Sequence, residues 1–222
     1  YPEYKANRRK TREESTFDWN EAFTIMNNVR EEIKENFPYK VLHIDGCEAD
    51  DIIATLVENS QEFGQYEDIM IVSGDKDFAQ LQKYDNVKQF SPVQKKYIVE
   101  KNPRAFLVEH IMRGDASDGV PNVLSADDVF ISGQRQTPLS AKKMTTLIED
   151  LDDGELLYAA SWYRNYCRNK KMIDLSETPQ DIKNEIIREF NLQDQWHNKG
   201  MVFPYLINKN MKQLIESVEE FI

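Results

Sequence analysis

Three groups of acids stand at predicted turns of this chain, and they constrain its fold more than any other feature. They are Glu48, Asp50 and Asp51 in EADD, Asp75 and Asp77 in SGDKDF, and Asp115 and Asp118 in GDASDG. YKVLHI (39–44) precedes the first group and DIMIVS (68–73) the second, each with the makeup of a short strand; EADDIIATLVENS (48–60) between them reads as a helix. Strand, helix, strand in that order suggests a parallel sheet. In an open α/β sheet the carboxyl ends of the strands face a common crevice, so the first two groups would converge there if the strands are neighbours. Carboxylates a few ångströms apart repel and raise one another's pKa, so a shared cation is the economical explanation. Hard oxygen ligands with no His or Cys nearby favour Mg²⁺ or Mn²⁺ over zinc.

Each group also has a structural explanation. Acids in the first turn of a helix interact favourably with its dipole, about 0.5 kcal/mol each, which alone would account for Glu48, Asp50 and Asp51. Asp75 or Asp77 would cap the helix that follows, and GDASDG would be an ordinary turn. Only the combination favours a metal, and the charge distribution strengthens it. The net charge is −11, yet residues 4–12 carry Lys5, Arg8, Arg9, Lys10 and Arg12 with no acid among them. Such a chain would not coat DNA by bulk attraction, but a local basic segment would bind phosphate. Lys5 and Arg8, three residues apart on a helix face, would clamp a scissile phosphate; a solvated helical face is the plainer alternative.

The chemistry suited to such a site is phosphodiester hydrolysis with two metal ions about 4 Å apart, which needs no protein nucleophile. No Ser-His-Asp or Cys-His arrangement competes with it. His43 and His110 read as structural and His197 as a surface residue. Cys47 and Cys167 lack the spacing of a zinc site or disulfide framework. No apolar run is long enough to span a membrane and no secretory signal is visible, so the expectation is a soluble intracellular protein.

Apolar residues from Trp19 to Phe37 recur at helical spacing, predicting a helix within 14–37 with Ser15 and Thr16 as cap candidates and Pro38 as its end. DFAQLQKY (77–84) reads as a short helix, and NVKQFSP with KKYIVE (86–92 and 95–100) as a hairpin or edge strands. Beyond Asn102 the pattern turns helical: PRAFLVEHIM (103–112), SAKKMTTLIEDL (140–151), GELLYAASWYRNYCRNKK (154–171) and PQDIKNEIIREF (179–190), the last opened by Thr178 and Pro179. A soft boundary falls near residue 102, separating an α/β part from a helical part. The aromatic residues of the latter, such as Trp162, Tyr163 and Tyr166, read as packing.

These motifs resemble the flap-endonuclease and 5′-nuclease family, in particular its phage ribonucleases H. YKANR (4–8) looks like the family's arch segment, and TREESTFDW (11–19) like the stretch after it in the phage enzymes. EADD (48–51) and SGDKDF (73–78) look like the two central acidic motifs, and GDASDGVPNV (114–123) like the last. The resemblance covers residues 1 to about 150. It implies an α/β, PIN-like parallel-sheet core over 1–102, its arch segment at 1–14, and a helical helix-hairpin DNA-binding and C-terminal region over 103–222. By it Glu48, Asp50 and Asp75 would serve one metal site, Asp77, Asp115 and Asp118 a second, with Asp51 near either. Lys5 and Arg8 would position the phosphate.

The implied activity is Mg²⁺- or Mn²⁺-dependent 5′-to-3′ exonuclease and flap endonuclease cleavage, removing RNA primers and 5′ flaps during phage replication in the cytoplasm of an infected bacterium. Flapped or nicked DNA and RNA/DNA duplexes would be the substrates of a monomer working with a single-strand-binding replisome protein. Arg9, Lys10 and Arg12, and Arg135, Lys142 and Lys143 in the region that follows GDASDGVPNV, would lie near the duplex, with a monovalent cation held by carbonyls of the 114–123 turn. Family members carry two further aspartates upstream of the arch, one on a first strand, and this chain opens at Tyr1 downstream of both. The expectation is therefore a longer parent enzyme. Two rivals follow: a noncatalytic DNA-structure-binding replisome module, and a haloacid-dehalogenase-like phosphatase, which would share the strand-end aspartates but needs Ser/Thr and Lys motifs that are missing.

Overall fold

A computed structural model describes residues 1–62, 67–153, 160–194 and 196–221. Its sheet is small and mixed. Strand β1 (Ile69–Val72) pairs in parallel with β2 (Val87–Ser91), Ile69 opposite Val87 and Val72 opposite Phe90, and β2 pairs antiparallel with β3 (Lys96–Ile98). The β2–β3 hairpin is where the sequence predicts it. The β1–β2 crossover contains the 3₁₀ segment Lys76–Lys83, which tucks Phe78 and Leu81 beneath the sheet.

Helix α1 spans Ala6–Glu13, α2 Trp19–Asn36 and α3 Ala49–Glu62. After the sheet come α4 (Pro103–Arg113), α5 (Ala141–Asp153), α6 (Ser161–Ile173), α7 (Gln180–Leu192) and α8 (Val202–Asn208). The α/β character with a helical C-terminal region is thus as expected. Residues 154–159, the start of the helix expected over 154–171, and the side chain of His197 lie outside the described residues.

Two local expectations are corrected. YKVLHI forms no strand; β1 takes its parallel partner from residues 87–91 instead. Within 39–44, Val41 meets the side chain of Gln193 rather than a strand: its N–H donates to Oε1 and its carbonyl accepts from Nε2, both at 2.9 Å. The cap of α2 is Asp18, whose carboxylate accepts from the Glu21 N–H at 2.9 Å, while the Ser15 hydroxyl accepts from Phe17 N–H and leaves the helix to start later.

By spatial contact the described chain forms two units. Residues 1–14 and 48–180 make the first; 15–47 and 181–222 make the second. In the first, Ala54 and Val57 of α3 pack with Ile71, Phe78, Leu81, Val87 and Leu175. Ile111 of α4 joins Val120 and Ile173, with Tyr1 and Tyr4 against them, and Met112, Val123 and Leu147 form a neighbouring cluster. In the second, Phe37 packs on Val202 and Leu206, with the rings of Tyr205 and Phe221 edge-on to it.

Helix α4 runs directly into the third acidic motif, and a glycine makes that junction. Gly114 has φ +68 and ψ −174, and a Cβ there would lie 2.4 Å from the Val120 carbonyl oxygen. A side chain meets both a backbone region used almost only by glycine and a backbone clash, together costing about 3 kcal/mol or more. Gly114→Ala is therefore expected to lower the unfolding free energy measured in urea by that amount at unchanged m-value; a loss smaller than about 0.5 kcal/mol would refute the strain.

Candidate metal centre

The acids are placed by the elements they cap. At the start of α3, the Glu48 backbone N–H donates to Asp51 Oδ2 at 3.1 Å, the reciprocal half of a capping box. Asp51 Oδ1 accepts from the Thr178 hydroxyl at 2.8 Å. Both its oxygens are thus engaged in structure, and it does not line the cleft that its neighbours share. Asp75 caps the 3₁₀ segment, Oδ1 accepting from Asp77 N–H at 3.1 Å. Buried Gln89 of β2 holds this loop from below, its side-chain amide donating to the carbonyls of Ser73 and Asp75 at 3.0 and 2.6 Å. Asp115 Oδ1 accepts from the Ser117 N–H and hydroxyl at 2.8 and 2.6 Å.

The N-terminal segment is fastened to the third motif. Lys5 N–H donates to the Asp118 carbonyl at 2.8 Å, and Gly119 (φ +73) passes so close to Glu3 that a Cβ would stand 2.9 Å from its carbonyl oxygen. Lys5, Arg8, Glu48, Asp50, Asp75, Asp77 and Asp118 consequently line one open cleft of about 450 Å³. Five of the seven expected carboxylates and both expected basic residues meet there. Lys5 Nζ donates to both Glu48 oxygens at 2.6 and 2.5 Å, Tyr4 donates its hydroxyl to Oε2 at 3.0 Å, and Arg8 pairs with Asp118. Burial works against the Lys5 charge, but the bonds to Glu48 and Tyr4 outweigh it and raise its pKa. Burial, then the Glu48 charge, raises Asp50.

Asp115 sits beside this cleft, behind Asp77. Its Oδ2 accepts from Lys76 Nζ at 2.9 Å, and the imidazole Nε2 of His110 lies 3.4 Å from Asp77 Oδ1 and 3.7 Å from Asp115 Oδ2. The two acids are driven apart in pKa. Burial, then the nearby Asp75 charge, pushes Asp77 up to about 7. Burial also acts to raise Asp115, but Ser117 and Lys76 overcome it and hold it at about 2. Burial, then the Lys76 charge, lowers His110, so the imidazole is neutral at pH 7.

A cation fits this set on the geometry alone. Asp77 Oδ1 and His110 Nε2 are buried without a hydrogen-bond partner, and one ligand atom from each of Asp77, His110 and Asp115 lies within 4.8 Å of the other two. Polar atoms so placed are costly unless something satisfies them. His110, structural by its sequence setting, and Lys76, inside SGDKDF, are the two members of this cluster that the sequence does not single out. The only hint was position: His110 occupies the last turn of the helix that delivers Asp115. The remaining expected residues lie elsewhere: Arg9, Lys10 and Arg12 on exposed α1, Lys142 and Lys143 exposed in the first turn of α5, and Arg135 exposed in the loop before it.

Because Asp77 must lose its proton to bind a cation, affinity for Mg²⁺ is expected to rise about tenfold per pH unit between pH 5.5 and 7 and to flatten above pH 8. Titration calorimetry in buffers of different ionisation enthalpy checks this, and an affinity independent of pH would contradict the protonation assigned to Asp77.

Comparison with known proteins agrees with the geometry. A family model described as "5'-3' exonuclease, N-terminal resolvase-like domain" matches residues 1–109, and one described as "T4 RNase H, C terminal" matches 103–221. Ribonuclease H of Enterobacteria phage T4 is 34% identical over 223 residues, 98% of this chain and 72% of that protein. DNA polymerase I of Mycobacterium tuberculosis is 32% identical over 134 residues, 55% of this chain and 14% of the polymerase. Two solved structures share the fold. T5 D15 protein co-crystallized with metal ions has a TM-score of 0.58 at 20% identity, covering 85% of this chain and 77% of that one. T5 5′-exonuclease with bound zinc has a TM-score of 0.59 at 21% identity, covering 85% and 76%. The chain belongs to the 5′-3′ exonuclease family, alongside phage T4 ribonuclease H.

Proposed function

We propose that this chain carries the catalytic cleft of a nuclease that shortens nucleic acid from 5′ ends and removes 5′ flaps and RNA primers in phage DNA replication. The observation that carries it is the shared cleft, lined by Glu48, Asp50, Asp75, Asp77 and Asp118 together with Lys5 and Arg8. Glu48, Asp50 and Asp75 would hold one ion and Asp77, Asp115 and Asp118 a second, with Mg²⁺ or Mn²⁺ as the ions used. Bound divalent ions would supply a water-derived nucleophile at neutral pH and stabilise the charge of the displaced oxygen.

The protein's own groups then do the positioning. Lys5 and Arg8 are paired with carboxylates of the cleft, so a phosphate entering it meets two cations already held in place. The exposed basic residues Arg9, Lys10 and Arg12 extend that charge along α1. Lys142 and Lys143 sit where the dipole of α5 opposes positive charge, an arrangement that suits a duplex phosphate at that helix end, with Arg135 nearby in sequence. On this reading residues 1–102 form most of the nuclease part, completed by Asp115 and Asp118, and the rest of 103–222 the DNA-holding part of a monomer acting on flapped or nicked DNA and RNA/DNA, with a single-strand-binding replisome protein as partner. The Pro121 carbonyl accepts from Asn169 and Arg168, at 2.8 and 3.0 Å, which leaves a monovalent cation in the 114–123 turn without that ligand.

Cleavage of a 5′-labelled flap and of a nicked RNA/DNA duplex, in Mg²⁺ and in EDTA, tests the reading. Asp75→Asn is expected to lower metal-dependent cleavage at least about 10³-fold while duplex binding survives. Lys5→Ala is expected to lower cleavage by about 10²-fold while leaving cation affinity equal or tighter, since it frees Glu48. Binding without cleavage by the parent chain, even in Mn²⁺, would instead favour a noncatalytic DNA-structure-binding module.

A further inference from the structure

His110 is 8% exposed, on the last turn of α4, and its ring stacks on Phe106 with centroids 5.7 Å apart. The helix holds its backbone in place through the Gly114 N–H, which donates to the His110 carbonyl at 2.9 Å. Its Nε2 has no hydrogen-bond partner and faces two carboxylates: Asp77 Oδ1, equally unpartnered, at 3.4 Å, and Asp115 Oδ2 at 3.7 Å. An orphaned buried nitrogen costs about 1–3 kcal/mol, and here three would-be ligand atoms cluster within 4.8 Å. One ion at their centre satisfies all of them at once.

We propose that His110 Nε2 is a nitrogen ligand of the divalent ion held by Asp77 and Asp115, which makes this site select Mn²⁺, Co²⁺ or Zn²⁺ over Mg²⁺. Imidazole is a borderline donor that binds first-row transition ions much better than Mg²⁺, which keeps to oxygen. The ion set of Glu48, Asp50 and Asp75 is all oxygen and remains suited to Mg²⁺, so the two halves of the centre differ in chemistry. The inference rests on the two-metal reading above and adds to it the nitrogen ligand and the selectivity it confers.

Pulsed electron paramagnetic resonance of the full chain loaded with Mn²⁺ tests it without a variant. The expected spectrum shows ¹⁴N hyperfine coupling that changes to ¹⁵N when histidine alone is labelled. In His110→Ala that coupling is lost and the preference for Mn²⁺ over Mg²⁺ falls about tenfold or more. Asp77→Asn separates the two ideas. Mn²⁺ that depends on Asp77 but shows no histidine nitrogen overturns the His110 ligand and leaves the metal centre standing. Mn²⁺ binding indifferent to Asp77, or no Mn²⁺ binding, overturns both.

Discussion

Repulsion among carboxylates crowded into one cleft is the constraint on which the rest of the first unit depends. Nothing favours placing five of them in one cleft unless cations are brought to meet them, and the chain as a whole is acidic. Local cations answer the problem. Lys5 meets Glu48, Arg8 meets Asp118 and Lys76 meets Asp115. Much of the surrounding architecture keeps those partners in register: the Lys5 N–H on the Asp118 carbonyl, the side-chain-free approach at Gly119, and Tyr1 donating its hydroxyl to the Gly119 and Asp127 carbonyls at 3.0 and 2.8 Å. The partly exposed Lys5–Glu48 pair contributes little net stability, so its value lies in placement rather than in holding the fold.

Asp77 and Asp115 show how one small volume gives two acids different chemistry. Both belong to the same cluster, but Asp115 receives two bonds from Ser117 and one from Lys76, whereas Asp77 Oδ1 receives none. Their pKa values separate to about 2 and about 7. Divergent pKa values among neighbouring acids are a mark of functional sites, and here the high one belongs to the group with a bare oxygen.

The sequence carried the acidic motifs plainly because their setting is local: each acid follows an apolar run or opens a helix, and α3, α4, β1 and the β2–β3 hairpin form where periodicity puts them. What escaped it depends on partners distant in the chain. YKVLHI has strand composition, but composition does not reveal that Val41 will be bonded by Gln193 instead of a neighbouring strand. His110 has the spacing of a core residue on α4, and only the fold brings Asp77 to its side. Asp51 is indistinguishable in sequence from its neighbour Asp50, yet its bonds to Glu48 N–H and Thr178 turn it to a structural task.

Everything proposed for the cleft turns on divalent ions being held by the acids of the EADD, SGDKDF and GDASDG motifs. A crystal grown with Mn²⁺, with diffraction recorded on either side of the manganese absorption edge, tests it most directly. Anomalous density is expected at coordinating distance from Asp77 and Asp115, with a second peak beside Glu48, Asp50 and Asp75. Density confined to surface acids away from these residues, with Lys5 and Arg8 still paired to Glu48 and Asp118, would contradict it.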